Sequence, residues 1–143
     1  MKNIYLVFVL VILAIALLVI GMLVLPKKGA PNGSSDKSDL IVVSQPVANQ
    51  LITNPVTITG QARGYWYFEA SFPVKLLDSN GKLLAIKPMQ AIGEWMTENF
   101  VPFSMDLEFE NPTTDTGVLV LEKDNPSGLP EHDAELRIPV RFR

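Results

Sequence analysis

The chain is 143 residues long, with 12 basic against 15 acidic side chains and no cysteine. The surplus of acid argues against the clustered positive surface that phosphate binding needs, so nucleic acid is not an expected partner. Without cysteine there is no disulfide framework, thiolate metal site or thiol nucleophile, and stability has to come from packing and hydrogen bonds.

Ile4–Leu25 is an uncharged run of 22 residues in which only Tyr5 and Gly21 depart from plain apolar character. As a helix rising about 1.5 Å per residue it would reach roughly 33 Å, enough for a hydrocarbon core of about 30 Å. A secretory signal peptide has a shorter apolar stretch, and this run leads into Pro26-Lys27-Lys28, so residues 1–25 read as an uncleaved membrane anchor. Lys2 stands on one side of it and Lys27 and Lys28 on the other, which leaves orientation close to a tie. Residues 26–39, PKKGAPNGSSDKSD, hold nothing apolar larger than alanine and read as a flexible linker. A globular domain is expected over residues 40–143, where thirteen acidic residues face eight basic ones.

From Leu40 onward, short apolar runs alternate with Pro, Gly and Asn. Leu40–Val43 reads as a first strand, stopped by Gln45-Pro46, and Asn54-Pro55 turns the chain into Val56–Ala62. The strongest pattern is Trp66–Leu77, where Trp66, Phe68, Ala70, Phe72, Val74 and Leu76 are all apolar at period two. Strand side chains alternate between faces, so this run predicts one long strand with a face in a core. Asp78-Ser79-Asn80-Gly81 reads as a hairpin turn with Asn80 and Gly81 suited to positive φ, and Lys82–Ile86 returns beside it. Phe103, Met105, Leu107 and Phe109 repeat the alternation, Val118–Glu122 follows, and Leu136, Ile138, Val140 and Phe142 close it within Ala134–Phe142. Seven to eight strands at this spacing predict an all-β immunoglobulin-like β-sandwich, preceded by the single N-terminal transmembrane helix. Trp66, Phe68 and Phe103 would fill its centre in place of a disulfide. Pro73, Pro88, Pro102 and Pro139 fit strand edges and bulges.

The segments PVTITGQA (Pro55–Ala62), WYFEASFPVKLLDSNG (Trp66–Gly81), GEWMTENFVPF (Gly93–Phe103), GVLVLEKDNPSGLPE (Gly117–Glu131) and IPVRF (Ile138–Phe142) resemble the immunoglobulin-like domain of bacterial spore germination proteins. The resemblance implies a sandwich fold, a place outside the bacterial cytoplasmic membrane, and a module that is not itself an enzyme. It breaks the orientation tie in favour of an extracytoplasmic C-terminal domain.

Several residues are candidates for function. Tyr65, Tyr67 and Glu69 fall on the outward face of the expected long strand, where stiff aromatic area suits protein recognition or covers a neighbouring strand. Trp95 lies in a segment without alternation and is either a second binding element or a plug for one end of the sandwich. Asp124 and Asn125 begin a loop that, with Glu131 and Asp133, offers oxygen ligands to calcium, against the simpler reading of a turn. His132 is the single histidine and nothing resembles GxSxG, so no catalytic residue, cofactor or metal is expected. Asp106, Glu108 and Glu110 on one strand and Arg137, Arg141 and Arg143 on the last would lie on opposite sheets. The expected function is a membrane-anchored, non-enzymatic module that binds or assembles with cell-envelope components, protein or polymer; a ligand- or calcium-binding domain is the alternative.

Overall fold

The computed structural model describes residues 36–143. The expected anchor at Ile4–Leu25 and most of the linker lie outside the described residues. Among the described residues, no helix is long and apolar enough to cross a membrane.

Eight strands form two sheets: β1 (Ile41–Gln45), β2 (Gln50–Leu51), β3 (Val56–Arg63), β4 (Ser71–Asp78), β5 (Leu83–Gln90), β6 (Phe100–Leu107), β7 (Thr116–Glu122) and β8 (Glu135–Arg141). One sheet has the order β1-β3-β6 and the other β2-β8-β7-β4-β5. All pairings are antiparallel except β2 with β8. The first strand system thus changes sheets between β1 and β2, and the peptide bond at Gln45-Pro46, between them, is cis. This is the two-sheet arrangement of an immunoglobulin-like sandwich.

The period-two runs do what alternation requires. Phe72, Val74 and Leu76 of β4 and Leu121 of β7 are fully buried on one sheet, and Ile58 of β3 with Phe103 and Leu107 of β6 are buried on the other. Each such side chain contributes about 1.5–3 kcal/mol of burial. Edge-to-face rings join at the centre: Phe72 lies 5.4 Å from Phe103 and 5.1 Å from Tyr67. The four prolines sit where a missing N–H is harmless. Pro88 and Pro102 are on the edge strands β5 and β6, and Pro73 lies in the part of β4 that extends beyond β7. Pro139 accepts from Asn49 through its carbonyl.

One expected element is different. The strand expected over Trp66–Leu77 begins only at Ser71, because Gly64–Trp66 is a turn of 3-10 helix and Glu69 and Ala70 take φ of 48° and 63°. Phe68 and Ser71 exchange both main-chain hydrogen bonds, at 2.9 and 3.0 Å, around these two residues. That is a tight hairpin turn with positive φ at both central positions. The reversal breaks the alternation, so Phe68 is 42% exposed rather than central, and Phe72 takes the place expected for it. Trp66 is buried as expected. At the β4–β5 hairpin Gly81 has positive φ, whereas Asn80 does not. Asp78, buried there, accepts from the amides of Asn80 and Lys82 at 2.9 Å and from Thr113 Oγ1 at 3.3 Å.

Candidate functional site

Strand direction gathers three connections at one end of the sandwich: residues 64–70 between β3 and β4, 91–99 between β5 and β6, and 123–134 between β7 and β8. The chain also enters β1 here, since Ile41 lies opposite Ala62 and Arg63 Nε donates to the Asp39 oxygen at 2.9 Å. The three loops touch. Gly64 packs so tightly on the second loop that a Cβ there would overlap the carbonyl oxygens of Trp95 and Thr97. The amide of Ala91 donates to the Ala70 oxygen at 2.8 Å, and that of Asp124 to the Trp66 oxygen at 3.0 Å.

Of the expected site residues, Tyr65, Glu69, Trp95, Asp124 and Asn125 all come to this end, although they are spread over some sixty positions of sequence. Tyr65 is 49% exposed and Glu69 is exposed. Tyr67 is not a surface residue, contrary to expectation. With its strand replaced by a turn, it faces inward at 4% exposure and its hydroxyl donates to the Val101 oxygen at 2.9 Å. Burial pushes its hydroxyl pKa above the ordinary tyrosine range. Trp95 is half-buried against the core, as a plug would be, and presents its main-chain oxygen to Gly64.

Three further exposed residues complete the surface: Phe68, which the alternation assigns to the core, and Ile92 at 53% exposure and Met96 at 74%, which it does not place. Ile92 and Met96 sit beside Gly93 in a segment without periodicity, where an apolar side chain has no strand face to assign it. The same loops carry six acidic side chains: Glu69, Glu94 and Glu98 on the first two, Asp124, Glu131 and Asp133 on the third. Three cations, Lys37, Arg63 and Lys123, also stand at this end. Arg63 donates to the main-chain oxygens of Asp39 and Glu98 and lies 4.1 Å from the Phe100 ring centroid, and Lys123 donates to the His132 oxygen.

The third loop holds itself. Asn125 Nδ2 donates to the Leu129 oxygen at 2.9 Å and to Asp133 Oδ1 at 2.7 Å, while Ser127 Oγ accepts from the Leu129 amide at 3.2 Å. These are the bonds of a turn, and they engage the Leu129 oxygen and one oxygen of Asp133. A neighbouring hollow of about 550 Å³ is lined by Lys37, Glu122, Lys123, Asp133, Ala134 and Glu135. Its carboxylates are also engaged, Glu122 by Lys75 at 2.7 Å and Glu135 by Arg137 at 3.0 Å. Among the described residues no group of three or more His, Cys, Asp and Glu side chains is placed to hold a metal ion. His132 is exposed in the 3-10 turn Pro130–His132.

The family model for the immunoglobulin-like domain of bacterial spore germination matches residues 40–128. The chain belongs to that family. The match ends inside the third loop, yet β8 beyond it is an integral member of the five-stranded sheet, paired with β7 and β2. Neither the curated proteins nor the solved structures contain a match to the chain.

Proposed function

We propose that this spore-germination-type immunoglobulin domain is a non-enzymatic module, held by Ile4–Leu25 in the cytoplasmic membrane, that captures another envelope protein through its three-loop end. The observation that carries this reading is the exposure of Tyr65, Phe68, Ile92 and Met96 on loops that meet at one end of the sandwich and also carry six carboxylates. Exposed aromatic and Met side chains on a rigid platform are the groups that dominate protein–protein contacts. The acid on these loops selects a partner that brings lysine or arginine next to an apolar anchor, and it repels anionic wall polymer and anionic lipid. Location outside the cytoplasm is supported by kinship with a spore-germination domain, and membrane attachment by the uncharged N-terminal run.

Two measurements test the reading. Protease added to intact cells should degrade the sandwich; protection on the cytoplasmic side ends the proposal of location. Crosslinking in cells should capture a basic protein with the native chain and lose it in Tyr65→Ala/Met96→Ala. An unchanged capture would remove the loop end as the binding surface.

A further inference from the structure

The outer surface of the five-stranded sheet has a composition unlike the rest of the molecule. The strand register fixes which side chains share this face. Arg137 of β8, Val120 of β7, Lys75 of β4 and Ile86 of β5 form one row across it. Pro139, Val118, Leu77 and Leu83 form the next. Val120 is only 1% exposed and yet is not part of the core between the sheets, so this face has a small apolar centre of its own. Leu83 and Ile86, at 44% and 57% exposure, extend that centre into solvent.

Charge on this face also departs from the whole. Lys75, Arg137 and Arg141 stand against Glu122 and Glu135, a balance of +1, whereas residues 40–143 carry thirteen acidic and eight basic side chains. Two such acidic bodies repel one another in most orientations, and this face is where they approach without that penalty. The charges are also ordered along the strands: Glu122 pairs with Glu135 at one end of the β7–β8 ladder and Thr116 with Arg141 at the other.

We infer that the face binds a second copy of this chain, sheet against sheet. A two-fold axis lying in the interface and crossing the strands sets the Arg141 end of one copy over the Glu122–Glu135 end of the other. Four long strands at about 4.8 Å spacing and some seven residues at about 3.3 Å give each copy a plane of roughly 440 Å². The pair therefore buries about 900 Å² as flat planes, just below the threshold of about 1,000 Å² for a specific interface, and the relief of the side chains on both faces supplies the difference. Association through three of the four strand edges, all but that of β1, is guarded against. β5 carries Lys87 and Pro88, β6 carries Pro102, and β2 is two residues long. The inference is independent of the loop end, which lies at the strand termini.

The absence of native cysteine makes a direct test possible. In full-length chain reconstituted in nanodiscs or mild detergent, single-cysteine variants Ile86→Cys, Leu83→Cys, Val118→Cys and Arg137→Cys are oxidised. A covalent dimer is expected from at least one of these four and not from Asp106→Cys on the opposite sheet. Sedimentation of the full chain should give a dimer, and Leu83→Glu/Ile86→Glu should weaken it at least tenfold with the circular dichroism unchanged. A monomer at about 100 µM would overturn the inference. So would a dimer indifferent to Leu83→Glu/Ile86→Glu, or crosslinking no stronger than that of Asp106→Cys. Met96→Ala is expected to leave the dimer intact, which separates this result from failure of the loop-end reading.

Discussion

The hydroxyl of Tyr67 donates to the main-chain oxygen of Val101 at 2.9 Å, fastening the first loop to the start of β6 from inside the sandwich. Tyr67→Phe leaves that buried oxygen without its donor and should cost about 1–2 kcal/mol. The same residue gives a pH dependence of definite sign. The folded state holds the Tyr67 proton above the ordinary tyrosine value, while the unfolded chain releases it near pH 10. The folded state therefore binds more protons in that range, and stability should fall as pH rises above about 10. Denaturant melts of wild type and Tyr67→Phe between pH 8 and 11 check this; the alkaline decline should be shallower in the variant.

Glu69 and Ala70 hold φ of 48° and 63°, where side chains with a Cβ are strained by roughly 1 kcal/mol each. The turn is kept because both flanking bonds close and because the Ala91 amide caps the Ala70 oxygen. Asn at the first position and Gly at the second suit such a turn. Glu69→Asn/Ala70→Gly should raise stability by about 1 kcal/mol in chemical denaturation. If Glu69 contributes to partner attraction, binding should weaken in the same variant.

Asp78 is the one buried charged side chain among the described residues, and its oxygens receive two amides and a hydroxyl. Removing it strands those donors at the β4–β5 hairpin. Asp78→Ala is expected to cost about 2–4 kcal/mol, and Thr113→Val about 1 kcal/mol, measured by urea unfolding.

Gly64 joins stability to the candidate surface. A methyl at this position has to displace main-chain oxygens of Trp95 and Thr97, which cannot rotate away as a side chain would. Gly64→Ala should lose about 2–3 kcal/mol and separate the first two loops. Tyr65→Ala and Met96→Ala, on exposed positions beside it, should change stability by less than about 0.5 kcal/mol and weaken partner capture about tenfold or more. Thermal melts run alongside crosslinking distinguish the two kinds of effect.

The strands were legible because their burial obeys a two-residue rhythm that single residues announce. Phe72, Val74, Leu76, Phe103, Leu107, Ile138 and Val140 are all where the alternation places them. The same rhythm misled at Trp66–Ala70, where apolar residues continue at even spacing through a 3-10 turn and a reversal. Nothing in Glu69 or Ala70 advertises positive φ, since neither is Gly, Asn or Asp. That single difference turned Tyr67 inward and Phe68 outward. Of the candidate surface, Tyr65, Glu69 and Trp95 could be found as residues, but their meeting could not, because it depends on strand direction and on Gly64 touching a loop thirty positions away. Ile92 and Met96 carried no signal beyond being apolar between strands, and Phe68 carried a false one, the even spacing that assigns it to the core.

β2 runs parallel to β8, with Gln50 opposite Val140 and Leu51 opposite Arg141, and main-chain bonds from Asn49 and Ile52 extend the pairing at either side. The chain begins β1 at the loop end and leaves β8 at the other. Tension applied between the two ends of the sandwich drags these strands past each other along their own axes. Their hydrogen bonds, lying across the pull, are then loaded in shear and must yield together, not in succession. Pulled along its length, the sandwich is expected to stretch late because of this one short ladder.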